Sequence, residues 1–308
     1  MSRTVAFSKN SVNVFFHILT RCNLRCSHCY INPDQHGSET LSLDTVSAWL
    51  KLFVHQTKNA NLILLGGEPT LHPDLAPIIK TARRMGYGSI TVDTNGYLFH
   101  DILTKIRPVD LDFISFSLDG ATPVTNDAIR GQGCYEHCVA GIRQAKEKGF
   151  QTSLIYTVSN ENIHELHMMP PLLADLGVDR FFIQVIGIRG KSREKEQKKT
   201  NNSSENSSKL QVNRKTWMTL IPEVATRVAD LGITVTYPKV FLENTELFEC
   251  AGNVADNYFI FPNGRVYRCP LCEDYPLHSF EIVDNQLVSN LKSNTGSVRP
   301  EYSRRMCD

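Results

Sequence analysis

Cys22-Asn-Leu-Arg-Cys26-Ser-His-Cys29-Tyr30 places three thiols within eight residues. The stretch directly follows a β-prone apolar run at residues 12–19. At C-x3-C-x2-C spacing, three thiolates can hold three corners of a metal cluster and leave the fourth corner without a protein ligand. Structural zinc takes four protein ligands, usually from paired C-x2-C knuckles. Inert electron-transfer clusters take four cysteines. The loop therefore points to a [4Fe–4S] cluster with one open iron, unless a distant residue closes the site.

Outward from the loop, strand-like and helix-like stretches alternate. β-rich runs fall at residues 12–19, 62–65, 89–92, 113–118, 152–158 and 180–186, with helical patterns at 43–56, 75–85, 135–148 and 163–176. Ser42 stands where an N-cap belongs, and Gly86, Gly149 and Gly177 follow last helical turns. Such alternation reads as βαβ units on a parallel sheet. Six strands are too few for a closed eight-stranded barrel.

A second stretch, LLGGEPTLHPD at residues 64–74, follows the second strand-like run, with Gly66 37 residues after Cys29. Together, CNLRCSHCY and GGEP resemble the radical S-adenosylmethionine superfamily over residues 12–190. The resemblance implies an α/β fold, a partial (βα)6 TIM-like barrel. It also implies a [4Fe–4S] cluster on Cys22, Cys26 and Cys29 whose open iron binds S-adenosylmethionine. One electron then cleaves the sulfonium, and the 5′-deoxyadenosyl radical takes a hydrogen atom from substrate. By position, the resemblance assigns cofactor contacts to Gly66, Gly67 and Glu68 (toward the α-ammonium), Thr94 and Asn95, Ser117 and Asp119 in FSLDG, and Arg130 (toward the carboxylate). His28 stands where the family usually carries an aromatic residue beside adenine, with Tyr30 just beyond.

The chain has 308 residues and a net charge of +1, with 41% hydrophobic and 21% charged residues. These values exclude wholesale disorder and a global field for nucleic acid or membrane. No run of about 18 apolar residues exists to span a bilayer, and the first ten residues lack a signal core. A cytoplasmic protein is expected. Nine cysteines in a reducing compartment point to metal or catalysis rather than disulfides.

Residues 189–213 read as a basic, polar, flexible linker. Nine Lys/Arg against three Glu in 189–215 also allow a basic arm toward an acidic partner. A connecting helix and strand are expected within 214–244. Beyond residue 245, FPNGRVYRC reads as a hairpin. Cys250, Gly264 and Cys269 follow a C-x13-G-x4-C pattern that resembles the start of a SPASM or Twitch extension. Cys250, Cys269, Cys272 and Cys307 suffice for one auxiliary [4Fe–4S] cluster, and a zinc knuckle is the alternative. Cys134 and Cys138, four apart on a helix, read as small core residues. The boundaries expected are 1–188 for the barrel, 189–213 for the linker, 214–244 for the connection and 245–308 for the extension.

The leading functional expectation is a peptide- or protein-modifying maturase that crosslinks, epimerises or oxidises. The first strand starts by residue 12, so no N-terminal peptide-docking domain is expected, and a separate recognition protein would serve. The alternative is small-molecule chemistry on a tetrapyrrole, cofactor or sugar. The third reading is a metal-binding scaffold without catalysis. The family implies reduced ferredoxin or flavodoxin as electron donor.

Overall fold

A computed structural model describes residues 3–4, 11–54, 59–99, 101–200, 208–241 and 255–290, with 3–4 and 198–200 as backbone alone. The barrel strands are β2 (Ser11–His17), β3 (Asn59–Leu65), β4 (Ser89–Thr94), β5 (Phe113–Ser117), β6 (Thr152–Val158) and β7 (Arg180–Val185). All pair in parallel with their sequence neighbours. Alternate residues such as Val12, Val14 and Phe16, or Ile90 and Val92, are buried in one apolar core. That period of two is the pleat of a strand with one face packed under helices.

The helices that follow are α1 (Pro33–His36), α2 (Leu43–Lys51), α3 (Leu75–Met85), α4 (Ile102–Lys105), α5 (Pro123–Arg130), α6 (Cys134–Glu147) and α7 (Met169–Leu176), of which α2, α3, α4, α6 and α7 bury apolar residues in that core. Ser42 caps α2 by accepting from the Thr45 amide at 3.1 Å. Gly86, Gly149 and Gly177 all take positive φ just past their helices. The 163–176 stretch, expected as one helix, is a 3-10 segment Ile163–Met168 followed by α7. Pro170 and Pro171 follow the junction and suit the first turn of a new helix.

Two corrections concern the flanks. The linker expected without structure carries helix α8 (Lys191–Thr200). The sheet also continues past the six barrel strands. After α9 (Arg214–Asp230), β8 (Thr234–Tyr237) adds in parallel to β7 and pairs with β1 (Arg3–Thr4). On the other side β9 (Asp256–Ile260) lies parallel to β2. Antiparallel β10 (Arg265–Tyr267), β11 (Phe280–Val283) and β12 (Gln286–Ser289) complete a twelve-stranded order. The expected hairpin is β9–β10. The β11–β12 hairpin was not foreseen; it turns through Asp284 and Asn285 at φ 49° and 59°, a pair suited to left-handed turn positions. An asparagine ladder joins β3, β2 and β9. Asn61 donates to Asn13 at 3.0 Å, and Asn13 donates to Asn257 at 2.9 Å.

Candidate active site

The carboxyl ends of the parallel strands converge on the cysteine loop, where open α/β sheets bind ligands. The loop is seated on the turn after β3. Gly67 N donates to Leu19 O at 3.1 Å and Glu68 N to Arg21 O at 3.0 Å. A Cβ on Gly67 would fall 2.3 Å from Thr20 O and 2.4 Å from Arg21 O, so only glycine permits this approach. Gly66 is similarly pressed against Leu19.

Glu68 is buried beneath that turn. Its Oε1 accepts from Thr70 N (3.1 Å), Thr70 Oγ1 (2.6 Å) and Thr94 Oγ1 (2.8 Å), and its Oε2 accepts from Asn95 N (2.8 Å). Burial pushes its carboxyl pKa up, while these donors pull it down. Oε1 is saturated; Oε2 keeps accepting capacity. Asn95 Nδ2 reaches Asn23 Oδ1 at 2.8 Å and Cys22 Sγ at 3.8 Å. The Thr94 hydroxyl thus holds Glu68, and Asn95 holds the cysteine loop.

Asp119 follows β5 and is fully buried. Oδ1 accepts from Thr157 N at 2.8 Å, and Oδ2 pairs with Arg130 Nη2 at 2.7 Å and His28 Nε2 at 3.3 Å. Burial works against the Arg130 charge, but Asp119 together with the nearby Cys26 and Cys138 thiols raises its pKa. Asn126 Oδ1 accepts from Asp119 N at 2.9 Å, and Asn162 Nδ2 donates to Asp119 O at 3.1 Å. Sequence reasoning missed both asparagines, since nothing local marks them. Ser117 ends β5 on the same rim, and its carbonyl takes a contact from Cys138 Sγ at 3.7 Å.

Tyr30 turns away from His28, toward β2. His17 Nδ1 lies 3.1 Å from Ile260 O, so it carries the proton, and Nε2 accepts from Tyr30 OH at 2.7 Å. Burial holds His17 well below its usual pKa. His17 and His36 stack on opposite faces of Phe261, at 4.1 and 3.9 Å. Asp93, also missed, lies on the β4 face opposite Ile90 and Val92, toward the barrel interior. Burial raises its carboxyl to about 7, against a hydrogen bond from Ser115. In β2–β7 the only Asp, Glu, Lys or Arg residues are Asp93 and Arg180.

Cys22, Cys26 and Cys29 are partly exposed thiols of one loop. Burial raises Cys22 to about 11 and raises Cys26. Leu24 N donates to Cys22 Sγ at 3.3 Å. Among the described residues no three His, Cys, Asp or Glu side chains gather round a single-ion point. Three thiols on one loop are the donor set a cubane would take, one thiolate to each of three irons. Three buried polar atoms beside the loop lack protein partners: Ser27 Oγ, His28 Nδ1 and Arg130 Nε. Buried polar atoms rarely stay unmatched, so this set of donors and acceptors fits a bound polar cofactor.

Cys269 and Cys272 bracket a 3-10 turn, with Cys272 N donating to Cys269 O at 3.1 Å. Cys250 and Cys307 lie outside the described residues. Cys134 and Cys138 are buried on α6, where Cys134 Sγ lies 3.5 Å from Arg130 O.

A partial α/β barrel whose first strand ends in a three-cysteine loop, seated on a Gly-Gly-Glu turn, defines a class of cluster-bearing fold. The model of the radical SAM superfamily matches residues 16–169, half of the chain. The chain belongs to that superfamily, whose members use a [4Fe–4S] cluster and S-adenosylmethionine. It is 32% identical over 181 residues to a pre-heme d1 synthase of Dinoroseobacter shibae, covering 58% of this chain and 44% of that protein. It is 29% identical over 180 residues to a probable GTP 3′,8-cyclase of Sulfolobus acidocaldarius, covering 53% and 57%. The chain thus spans about half the length of these curated relatives. In fold it resembles Streptococcus suis SuiB bound to precursor peptide SuiA, with a TM-score of 0.67, 13% identity, and 88% of this chain and 62% of that one covered. No helix among the described residues is long and apolar enough to cross a membrane.

Proposed function

We propose that the chain binds S-adenosylmethionine at the Cys22/Cys26/Cys29 loop and removes a hydrogen atom from a substrate held in the barrel. The observation that carries this reading is the set of unmatched buried polar atoms beside the three thiols. Cys22, Cys26 and Cys29 hold three irons of the cluster. When bound, the cluster supplies the electron that splits the sulfonium into methionine and a 5′-deoxyadenosyl radical.

The chain's own residues do the binding and orienting. Glu68 Oε2 takes the cofactor ammonium, while Oε1 keeps the turn fixed. Arg130 Nε, free of Asp119, meets the carboxylate. Gly66 and Gly67 let the backbone approach. Asn95, Ser117, Asp119 and His28 line the nucleoside side. The His17 bond holds Tyr30 away from adenine, behind the loop. Asp93 faces the substrate.

For the substrate, we place a small organic molecule first. The relatives near 30% identity are named for a haem precursor and for GTP, which supports this class. The likeness to a peptide-bound enzyme is one of fold at 13% identity, so peptide modification, the leading expectation from a SPASM-like end, stands second. Cys250, Cys269, Cys272 and Cys307 form the auxiliary [4Fe–4S] site, zinc being the alternative. The divisions 1–188, 189–213, 214–244 and 245–308 serve as barrel, strap, connection and extension. Reduced ferredoxin or flavodoxin in the cytoplasm delivers the electron, and a partner protein or another surface such as the basic arm would recognise a peptide substrate. A non-catalytic scaffold would form no 5′-deoxyadenosine.

Anaerobic reconstitution tests this. The reduced protein with S-adenosylmethionine should form 5′-deoxyadenosine, and a Cys22/Cys26/Cys29→Ala variant should not. About eight irons per chain fit two clusters; about four with zinc sink the auxiliary cluster.

A further inference from the structure

Residues 189–193 touch two segments remote from each other in sequence. Toward the cysteine loop, Lys191 N donates to Cys29 O at 2.9 Å and Lys191 Nζ to Cys26 O at 3.4 Å. Gly190 has φ +55°, and a Cβ there would fall 2.5 Å from Cys29 O and 2.8 Å from Tyr30 Cα. The Arg189 guanidinium lies 4.4 Å over the Tyr30 ring.

Toward the C-terminal extension, Arg189 Nη1 donates to Pro270 O at 2.7 Å and pairs with Glu273. Gly190 N donates to Asp274 Oδ2 at 2.8 Å. Arg193 lies 3.9 Å from Asp274 and 5.0 Å over the Tyr275 ring. The Arg189 and Glu273 side chains are 15% and 2% exposed. A buried ion pair that also stacks and bonds to a carbonyl is rigid, because removing either partner strands a charge away from water. One arginine therefore touches both the ring of Tyr30, next to Cys29, and the turn after Cys269, while Gly190 and Lys191 beside it hold the Cys29 backbone.

We propose that Arg189 is a positioning residue that fastens Tyr30 and the 190–191 backbone, and through them the Cys26–Cys29 loop, to the Cys269–Cys272 turn, so that a disturbance at either cysteine site is felt at the other. The lock deepens the reading of two metal centres, and its contacts are made between protein atoms alone. Reduced, metal-free full chain is treated with iodoacetamide, and alkylation is followed by peptide mass spectrometry. Arg189→Gln should raise the Cys29 rate roughly fivefold or more, as local opening becomes easier. Glu273→Gln should raise it similarly, although Glu273 reaches the loop through Arg189. Arg189→Lys keeps the charge but loses the planar fork, and should fall between. Buried Cys138 should stay protected in all three variants. An unchanged Cys29 rate in Arg189→Gln or Glu273→Gln overturns the proposal. So does an equal rise at Cys138 in every variant, which would be loss of fold rather than release of a lock. Failure to cleave S-adenosylmethionine would leave these rates untouched, so the two readings fail separately.

Discussion

At Glu68 a carboxylate gathers four protein donors, three of them on one oxygen. Glu68→Gln must turn an amide N–H toward a donor. We expect a loss of about 2 kcal/mol in urea unfolding together with a fall in 5′-deoxyadenosine formation; unchanged stability would contradict this placement. Gly67→Ala should open the turn locally, because its Cβ would strike two carbonyls. A metal-free chain with altered exchange only in the loop and turn, measured by hydrogen exchange, is the expected result. Asp93 sets a pH dependence. Its folded pKa, raised to about 7, means the folded state holds the proton longer than the unfolded one. The stability that Asp93 contributes should therefore fall as pH rises from about 4 to 7. Asp93→Asn should match wild type near pH 4 and exceed it at pH 8 by on the order of 1–2 kcal/mol, discounted for partial exposure. Equal unfolding curves at pH 8 would refute it.

Among elements, α5 shows what local sequence hides. Its residues PVTNDAIR carry few apolar side chains, so periodicity marks it weakly. Its start is organised from forty residues away. Glu165 accepts from Ala121 N (2.8 Å), Thr122 N (3.0 Å), Thr122 Oγ1 (2.6 Å) and Thr125 Oγ1 (2.6 Å). Burial alone would raise the Glu165 pKa, but these donors bring it below the usual value. Its contribution is thus present above the unfolded pKa and lost as pH falls through the folded one. Glu165→Gln should cost about 2 kcal/mol at pH 7 and flatten the acid limb of stability below about pH 4.5. Thermal unfolding against pH checks both. The helix matters because it ends at Arg130, at the site. Helix α8 was equally illegible, having no apolar face at all. By contrast the six barrel strands, α3 and the glycine caps were readable, because alternation, apolar spacing and positive φ leave local marks. The cysteine loop and Gly-Gly-Glu turn were legible as motifs. The Arg130–Asp119–His28 cluster and Arg189 bridge were not, since they depend on pairings between distant segments.

Over the whole molecule, the sheet is continuous from β1 to β12, so the barrel and its extension should unfold together. The two tryptophans sit well for a test. Trp49 on α2 donates to Asn285 Oδ1 at 3.1 Å in the last hairpin, and Trp217 is buried on α9. Trp49→Phe and Trp217→Phe each leave one reporter. Their urea midpoints by fluorescence should coincide, after allowance for each variant's own stability measured by circular dichroism. Two separated transitions would mean that the extension folds alone.

The parallel seam between β2 and β9 also sets a timetable. Asn13 and its partner Asn257 are 244 residues apart, which is roughly ten to fifty seconds of translation. Throughout that interval, one edge of the nascent barrel's first strand has no neighbour to cover it. Val12, Val14 and Phe16 stand on that strand. Unpaired apolar edges recruit other chains, so the emerging polypeptide is most exposed to aggregation before β9 has been made. Slower, cooler expression or an added holdase should therefore improve recovery more than any change to the finished surface.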